Sequence, residues 1–375
     1  MYDPDSLNIL YGVQATGNGH ITRSKEVITA LKSRGHNVQV ILSGRPADQL
    51  WDIDSFHPYQ VKDGLSFSTE NGKVKYFDTL MKAKPLKLLR DVNDFDAIHI
   101  DLAIVDYEPL TARIAKKNNI PSVGLGHQYA FDHDVPKKGF NAITRSFMGK
   151  FAPVDLGIGL HWHHFGAPIL PPILPKLIKT GIAEEKLILV YLPFENIETL
   201  LPVFHASEEF NFLVYTSDTE PGNCKNVQLN ALSRENFHKD LIRVEGVICN
   251  SGFELPSEAL SLQKKILVKP LKGQPEQISN SLALEQLNLG ATTNRIDPEI
   301  IREWYFNQSF EQVIFPDVVP QLVDWIEWGQ WDYSSLRSLS RQLWSHSIPV
   351  NQSQNLQPKK VTASHAAVPK LQPFL

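Results

Sequence analysis

The chain has 375 residues, 42% hydrophobic and 21% charged, with a formal net charge of −4 and a pI near 6.4. These are globular values, and the mild negative balance gives no electrostatic footprint for nucleic acid. The length exceeds one core of ~100–150 residues, which predicts two domains, and no run reaches the ~18 apolar residues of a spanning helix.

The opening MYDPDSLN is acidic and polar, unlike a secretory signal. Cys224 and Cys249 form no CxxC pair, which argues against a zinc or redox site. Cys249 ends an apolar run and reads as a buried free thiol. A cytoplasmic protein is expected.

In chain order, LNILYGV (7–13) is a continuous apolar run, as a strand buried on both faces would be. Ile21, Val27, Ile28 and Leu31 fall on one face of a helix over 21–34, stopped by Gly35, and NVQVILSG (37–44) is the next strand. Strand, turn, helix and strand make a right-handed parallel unit. AIVDY (103–107), a helix over 108–119 and the strand 120–126 repeat the rhythm, and 154–160 closes the first half. The Pro-rich segment 166–175 reads as a hinge. Strands at 187–193, 210–216 and 227–232 then restart the alternation, with a helix at 195–204. RENFHKDL and VEGVICN follow as helix and strand, then a helix over 276–290 closed by Gly290. Trp-rich C-terminal helices follow, and a Gln/Ser/Pro/Lys-rich disordered tail is expected over 348–375. The expected organisation is two doubly wound α/β domains facing across a cleft. They span 1–165 and 176–330, with helices at about 331–346 returning to the first.

Two segments carry the chemistry. In the first, Gly17, Asn18, Gly19 and His20 form a Gly-rich turn between strand and helix, where free N–H groups favour anions. Thr22 stands where a dinucleotide fingerprint needs a third glycine, which points away from NAD. His20 can take a proton at neutral pH, or it only occupies a helix end. Asp106 lies at a carboxyl strand end, where open α/β sheets place ligands; it orients an imidazole, or it caps the next helix. In the second segment, Ser251–Gly252 form a turn and Glu254 and Glu258 share a helix face. Glu258 suits ribose hydroxyls. Gln277 and Asn280 can offer amide donors to a phosphate or sugar. The bland alternative is solvated glutamates and a capping Gln277.

His127 and Gln128 follow another carboxyl edge and suit the acceptor side. Asp132, His133 and Asp134 read as an exposed loop. His161, His163 and His164 beside Trp162 read as interdomain packing or acceptor contact rather than a metal site. The basic-apolar stretches 80–90 and 173–181 could meet an anionic lipid surface, although ordinary amphipathic helices explain them equally.

On these motifs the chain resembles the two-domain nucleotide-sugar glycosyltransferases of the GT-B fold over residues 7 to 346. It looks closest to a bacterial and archaeal branch related to the peptidoglycan N-acetylglucosaminyl transferase, and more distantly to plant and macrolide UDP-sugar transferases. The resemblance implies His20 as general base and Asp106 as its partner. It implies a donor motif at Asn250, Gly252 and Glu258, ending in Gln277 and Asn280, with Glu276–Gln277 where relatives select the sugar. Asn250 replaces a phosphate-contacting His or Arg, and Glu254 replaces Asn. A phosphate cradle of backbone N–H groups at Gly17–Gly19 and near Gly252 is therefore expected.

The expected reaction is transfer from a nucleoside diphosphate sugar, best a UDP-sugar, without metal or other cofactor. The acceptor is an unidentified glycan of the cell envelope, a lipid or a small molecule, with peripheral contact at the inner membrane face left open. A nucleotide-sugar hydrolase, a 2-epimerase and a non-catalytic binder are rivals on the same fold.

Overall fold

The computed structural model describes residues 6–50, 52–63, 69–70, 73–74, 85–176, 182–217, 219–346 and 348–349. The first half is a six-stranded sheet of β1 (Asn8–Gln14), β2 (Asn37–Ser43), β3 (Tyr59–Lys62), β4 (Leu102–Asp106), β5 (Ser122–Gly126) and β6 (Leu156–Gly159). Its order is β3-β2-β1-β4-β5-β6, every pairing parallel. β1 is central and buried from Ile9 to Gln14, which explains its unbroken apolar run. The order reverses between β1 and β4, so Asp106, in register with Val13, stands at the switch point where such sheets open a crevice.

The second sheet repeats the plan with β7 (Leu187–Tyr191), β8 (Asn211–Tyr215), β9 (Gly222–Cys224), β10 (Val227–Asn230), β11 (Gly246–Asn250), β12 (Lys265–Lys269) and β13 (Ala291–Thr292). Its order is β9-β10-β8-β7-β11-β12-β13, with only β9 antiparallel. Here the reversal lies between β7 and β11. Cys249 pairs with Tyr191, which puts Asn250 at the second switch point. Both sequence motifs thus sit where the topology of their own sheet opens.

The helices that matter below are α1 (Asn18–Ser33), α2 (Pro109–Asn118), α3 (Arg234–Arg243), α4 (Glu254–Ser261), α5 (Pro275–Gln286), α6 (Val318–Trp328) and α7 (Tyr333–Ser345). α5 ends at Gln286 rather than running to Gly290. Gly290 instead lies against β12, where a Cβ would come within 3.1 Å of the Ile266 carbonyl oxygen. The return to the first half starts at Val318, one helix earlier than the boundary at 331. Arg34 of the first half bonds Asp324 at 2.6 Å and Glu327 at 2.8 Å. The Pro-rich segment is anchored over Ile169–Ile173, all of it buried. The Ile169 carbonyl accepts from Ser340 Oγ at 2.8 Å and Trp344 Nε1 at 2.7 Å of α7. One apolar cluster includes residues of both sheets, so the halves share a core.

Of the expected tail, only Ile348–Pro349 is described, paired with Val313–Ile314; the rest lies outside the described residues. The basic-apolar stretches are described only from residue 85 in one and up to residue 176 in the other. No helix among the described residues is long and apolar enough to cross a membrane. Cys249 is buried and free, its thiol pushed up to about 12 by that burial, and Cys224 is free and exposed.

α2 lies directly on β1, and a Cβ on Gly12 would come within 2.4 Å of Thr111 Oγ1 and 2.6 Å of Thr111 Cβ. Gly12→Ala is therefore expected to cost about 1–3 kcal/mol by overpacking. Gly222→Ala, with nothing within 4 Å of the new methyl, serves as the neutral control. Urea unfolding of the two variants checks this, and equal midpoints would show that α2 can shift.

Candidate active site

Gly17 is the N-cap of α1 in extended conformation (φ −120°, ψ 143°), without a side-chain cap. The helix begins at Asn18, three residues before the periodic apolar stripe, so Asn18, Gly19 and His20 are its first turn rather than a loop. Apolar periodicity cannot see a first turn made of polar and glycine residues. The two glycines do different work. A Cβ placed on Gly17 would meet only His20 Cδ2, at 3.8 Å, an ordinary contact. At Gly19 a Cβ would come within 2.2 Å of Glu254 Cγ, so this glycine lets the two halves touch.

His20 and Asp106 are brought together. His20 Nδ1 lies 2.7 Å from Asp106 Oδ1. Asp106 is fully buried and also accepts from Arg23 Nη2 at 2.6 Å, Arg23 Nε at 2.9 Å and Ser24 Oγ at 2.8 Å. Burial alone would raise the Asp106 carboxyl, but the charge of Arg23 and the contact with His20 outweigh it and hold it down to about 2. An ionised carboxylate only accepts, so the contact with Asp106 calls for the proton on His20 Nδ1, which leaves Nε2 as the acceptor; Arg23 Nη2, itself a donor, also lies 2.9 Å from Nδ1 and directs its hydrogen to Asp106 Oδ1 instead. The His20 side chain keeps 15% exposure. The bland reading of Asp106 as a helix cap does not hold. Glu108 caps α2, accepting from Leu110 N at 2.9 Å and Thr111 N at 2.6 Å.

Arg23 is the residue that motif reading missed. Its signal is in the sequence: it lies four residues before Val27, on the core-facing stripe of α1, where a cation needs a buried partner. It also reaches Glu254 at the start of α4, joining the two halves. Burial works against its charge, yet Asp106 and then Glu254 hold its pKa above the ordinary arginine value. Glu254 turns toward Arg23 rather than into solvent. Burial pushes its carboxyl up to about 8 against the pull of Arg23.

At the end of β11, Asn250 donates to the Lys269 carbonyl at 2.9 Å. Its Oδ1 and the Ser251 hydroxyl are buried without a partner. Gly252 has no atom within 4 Å of a would-be Cβ, so its backbone is open to approach. Glu258 is buried and lies 3.1 Å from His238 Nε2 of α3. Gln277 does not cap its helix; Gln274 does, and Gln277 Oε1 accepts from Leu271 N at 3.0 Å. Asn280 donates to the Ser251 carbonyl at 3.1 Å and meets His127 Nε2 at 2.7 Å.

His127 is buried, with Nδ1 2.8 Å from the Leu160 carbonyl and its ring stacked 4.1 Å from Phe253. Both ring nitrogens are occupied, so His127 joins the halves rather than facing an acceptor. Gln128 does the same, its amide 3.3 Å from Glu276 Oε2. Trp162 Nε1 donates to Ser257 Oγ of α4 at 2.7 Å. The neighbouring imidazoles cap turns: Nδ1 accepts from Trp162 N in His161, Phe165 N in His163 and Gly166 N in His164. Burial lowers all three, His163 to about 4. Asp132–His133 end a short 3₁₀ turn, with Asp132 and Asp134 exposed. A cavity of about 540 Å³ opens between α1, α3 and the linker, lined by Lys25, Glu26, Asp52, Lys176, Arg234 and His238 among others.

Two parallel sheets meeting with their switch points across one cleft are the GT-B fold of glycosyltransferases. The sequence profile of glycosyl transferase family 1 matches residues 7–308, and the chain belongs to that family. No curated protein matches it by sequence. Among solved structures it is similar to the kitacinnamycin glycotransferase, with 15% identity, TM-score 0.57, and 92% of this chain and 96% of that one covered. The glycosyltransferase SnogD from Streptomyces nogalater shares 16% identity at TM-score 0.52, covering 91% and 94%. UGT89C1 from Arabidopsis thaliana, solved with UDP, shares 12% at TM-score 0.54, covering 90% and 94%. At these identities the likeness is one of fold.

The network has opposite pH signatures at its two ends. Asp106, depressed to about 2 from 3.8, contributes stability that is present above pH 3.8 and lost as the pH falls toward 2. Glu254, raised to about 8 from 4.5, contributes most below pH 4.5 and loses it as the pH rises through 8. Asp106→Asn is expected to cost about 3–5 kcal/mol at pH 7, because it removes the main counter-charge of the buried Arg23. The stability difference between the parent and Glu254→Gln should shrink from pH 5 to pH 9. Urea unfolding across pH reads both, and a flat difference for Glu254→Gln would mean that the carboxyl stays ionised throughout.

Proposed function

We propose that this glycosyltransferase moves a sugar from a nucleoside diphosphate sugar, best a UDP-sugar, to an acceptor hydroxyl, with His20 as general base. The observation that carries this reading is the His20–Asp106 pair at one switch point, tied through Gly19 and Arg23 to Glu254, two residues beyond the open backbone of Gly252 at the other. The buried, unpartnered Asn250 Oδ1 and Ser251 Oγ beside Gly252 support a polar ligand there. Similar folds were solved with UDP, and one with quercetin, which supports this class of donor and a hydroxyl-bearing acceptor.

In the proposed step His20 Nε2 takes the acceptor proton as the acceptor oxygen bonds the anomeric carbon. The bond from that carbon to the diphosphate breaks, and its electron pair leaves on the phosphate oxygen. Ionised Asp106 favours the protonated imidazole that forms. Helix-end and loop N–H groups stabilise the departing charge, and on this reading no metal is needed. A glycan or lipid acceptor at a membrane face fits α-helical residues Pro85–Asp94, which expose Leu86 and Leu89 beside Lys87 and Arg90.

His20→Ala should lower sugar-nucleotide turnover at least ~10²-fold while UDP still raises the melting temperature. Turnover is read by UDP release with an acceptor panel, and by release without acceptor to separate hydrolysis. Parent-like turnover in the folded variant would remove His20 as the base.

A further inference from the structure

Several cations near the meeting edges of the two halves are neutralised in place. Arg23 is held by Asp106 and Glu254, Lys25 and Arg234 by Asp52, and Lys269 by Glu195. Arg45 is different. It follows β2 at the same carboxyl edge as the Gly-rich turn, directly after Gly44. Gly44 holds φ at +98°, and a Cβ there would come within 2.7 Å of Thr16 Cγ2. That turn bends Arg45 back over the start of α1. Its Nη1 donates to Asn18 Oδ1 at 3.0 Å and its Nη2 to the Thr16 carbonyl at 2.7 Å. It is half-buried and has no carboxylate partner among the described residues. The ionisable group near enough to act on it is the phenol of Tyr191, at the end of β7 in the opposite sheet, which burial keeps uncharged.

A guanidinium kept partly out of water by neutral acceptors alone lacks its counter-charge. The surroundings suit an anion. α1 has no side-chain cap, so its first N–H groups remain available beyond Gly17, whose nearest neighbour on the Cβ side is the His20 ring at 3.8 Å. Across the cleft, Tyr191 pairs with Cys249, so Asn250 and Ser251 follow immediately at the neighbouring strand end. Ser251, fully buried, carries a hydroxyl without a partner; the free atom of Asn250 is its Oδ1, an acceptor that offers nothing to an anion. The Ser251 hydroxyl can donate to a phosphate oxygen. The donor motif itself is poor in positive charge, having Asn250 at its first position and the acidic Glu254 at its fifth.

We propose that Arg45 is the cation that receives the diphosphate of the sugar nucleotide, from the domain opposite the donor motif. Arg45, the open N-terminus of α1 and Ser251 together form a diphosphate site completed by both halves. The inference rests on the donor reading above. It adds that charge recognition has moved from β11 to the loop after β2, so affinity depends on the halves being closed.

The test is calorimetric titration of the full chain with UDP, inorganic pyrophosphate and uridine, for the parent and Arg45→Gln. Loss of a charge-assisted contact should weaken UDP and pyrophosphate about 10- to 100-fold, with uridine unchanged. Arg45→Lys should recover part of the loss, since it restores charge without the fork. Far-UV dichroism and a melting curve establish that each variant is folded. UDP and pyrophosphate affinities equal to the parent's in Arg45→Gln would overturn the assignment while leaving the donor reading intact. A parent that binds neither UDP nor pyrophosphate would overturn both. Loss of uridine along with the anions in a folded variant would also count against the assignment, because the defect would not be one of charge recognition.

Discussion

A carboxylate shut away from solvent must be met by donors on nearly every lone pair, and Asp106 meets that demand with four. Two come from Arg23, one from Ser24 and one from His20, all within the first two turns of α1. The rest of the site follows from this arrangement. Because Asp106 stays ionised, His20 holds its proton on Nδ1 and presents Nε2. Because Arg23 has a guanidinium face to spare, it reaches Glu254 and fixes α4 against α1. Because α4 comes so close, position 19 must be glycine. One buried charge thus sets a tautomer, a domain contact and a sequence requirement. Replacing the whole cluster by apolar residues could preserve stability, as with other buried ion networks. It would not preserve a proton acceptor aimed into the cleft.

The second half contributes openings more than charges. Its switch point lies between β7 and β11, and just beyond it come Asn250, Ser251 and Gly252. Two of these carry unpartnered buried atoms and the third bares its backbone. Native interiors satisfy nearly all such groups, so two adjacent ones beside an open glycine leave room for a polar partner at this strand end. The remaining motif residues are spoken for. Glu258 faces His238, Gln277 closes the loop before α5, and Asn280 ties Ser251 to His127. These contacts hold the strand end in shape from three sides.

Much of this is legible without coordinates. Continuous apolar runs at β1 and β11, with polar turns at their carboxyl ends, define buried parallel strands. The positions of His20 and Gly252 at those ends follow from that, as does Asp106 at the end of the apolar run of β4. What stays hidden depends on pairing across the halves. No spacing rule links Arg23 to Glu254, 231 residues away, or His127 to Asn280, 153 residues away. His127 and Gln128 lie at the expected carboxyl edge, but they are turned into the domain contact. That choice is made by Phe253 and Asn280 packing opposite them. Glu254 reads as an unfavourable neighbour for a diphosphate until Arg23 is seen to occupy it. The early start of α1 escapes notice because its first turn has no apolar residue to mark it.

The central claim is that a nucleoside diphosphate binds across the two switch points with His20 beside it. A crystal structure with UDP tests this most directly. The account predicts ordered diphosphate between Gly17 and Gly252, with the Arg45 guanidinium on it and His20 Nε2 facing the side where the sugar would stand. UDP ordered elsewhere on the molecule, with the backbone of Gly252 still bare, would contradict it.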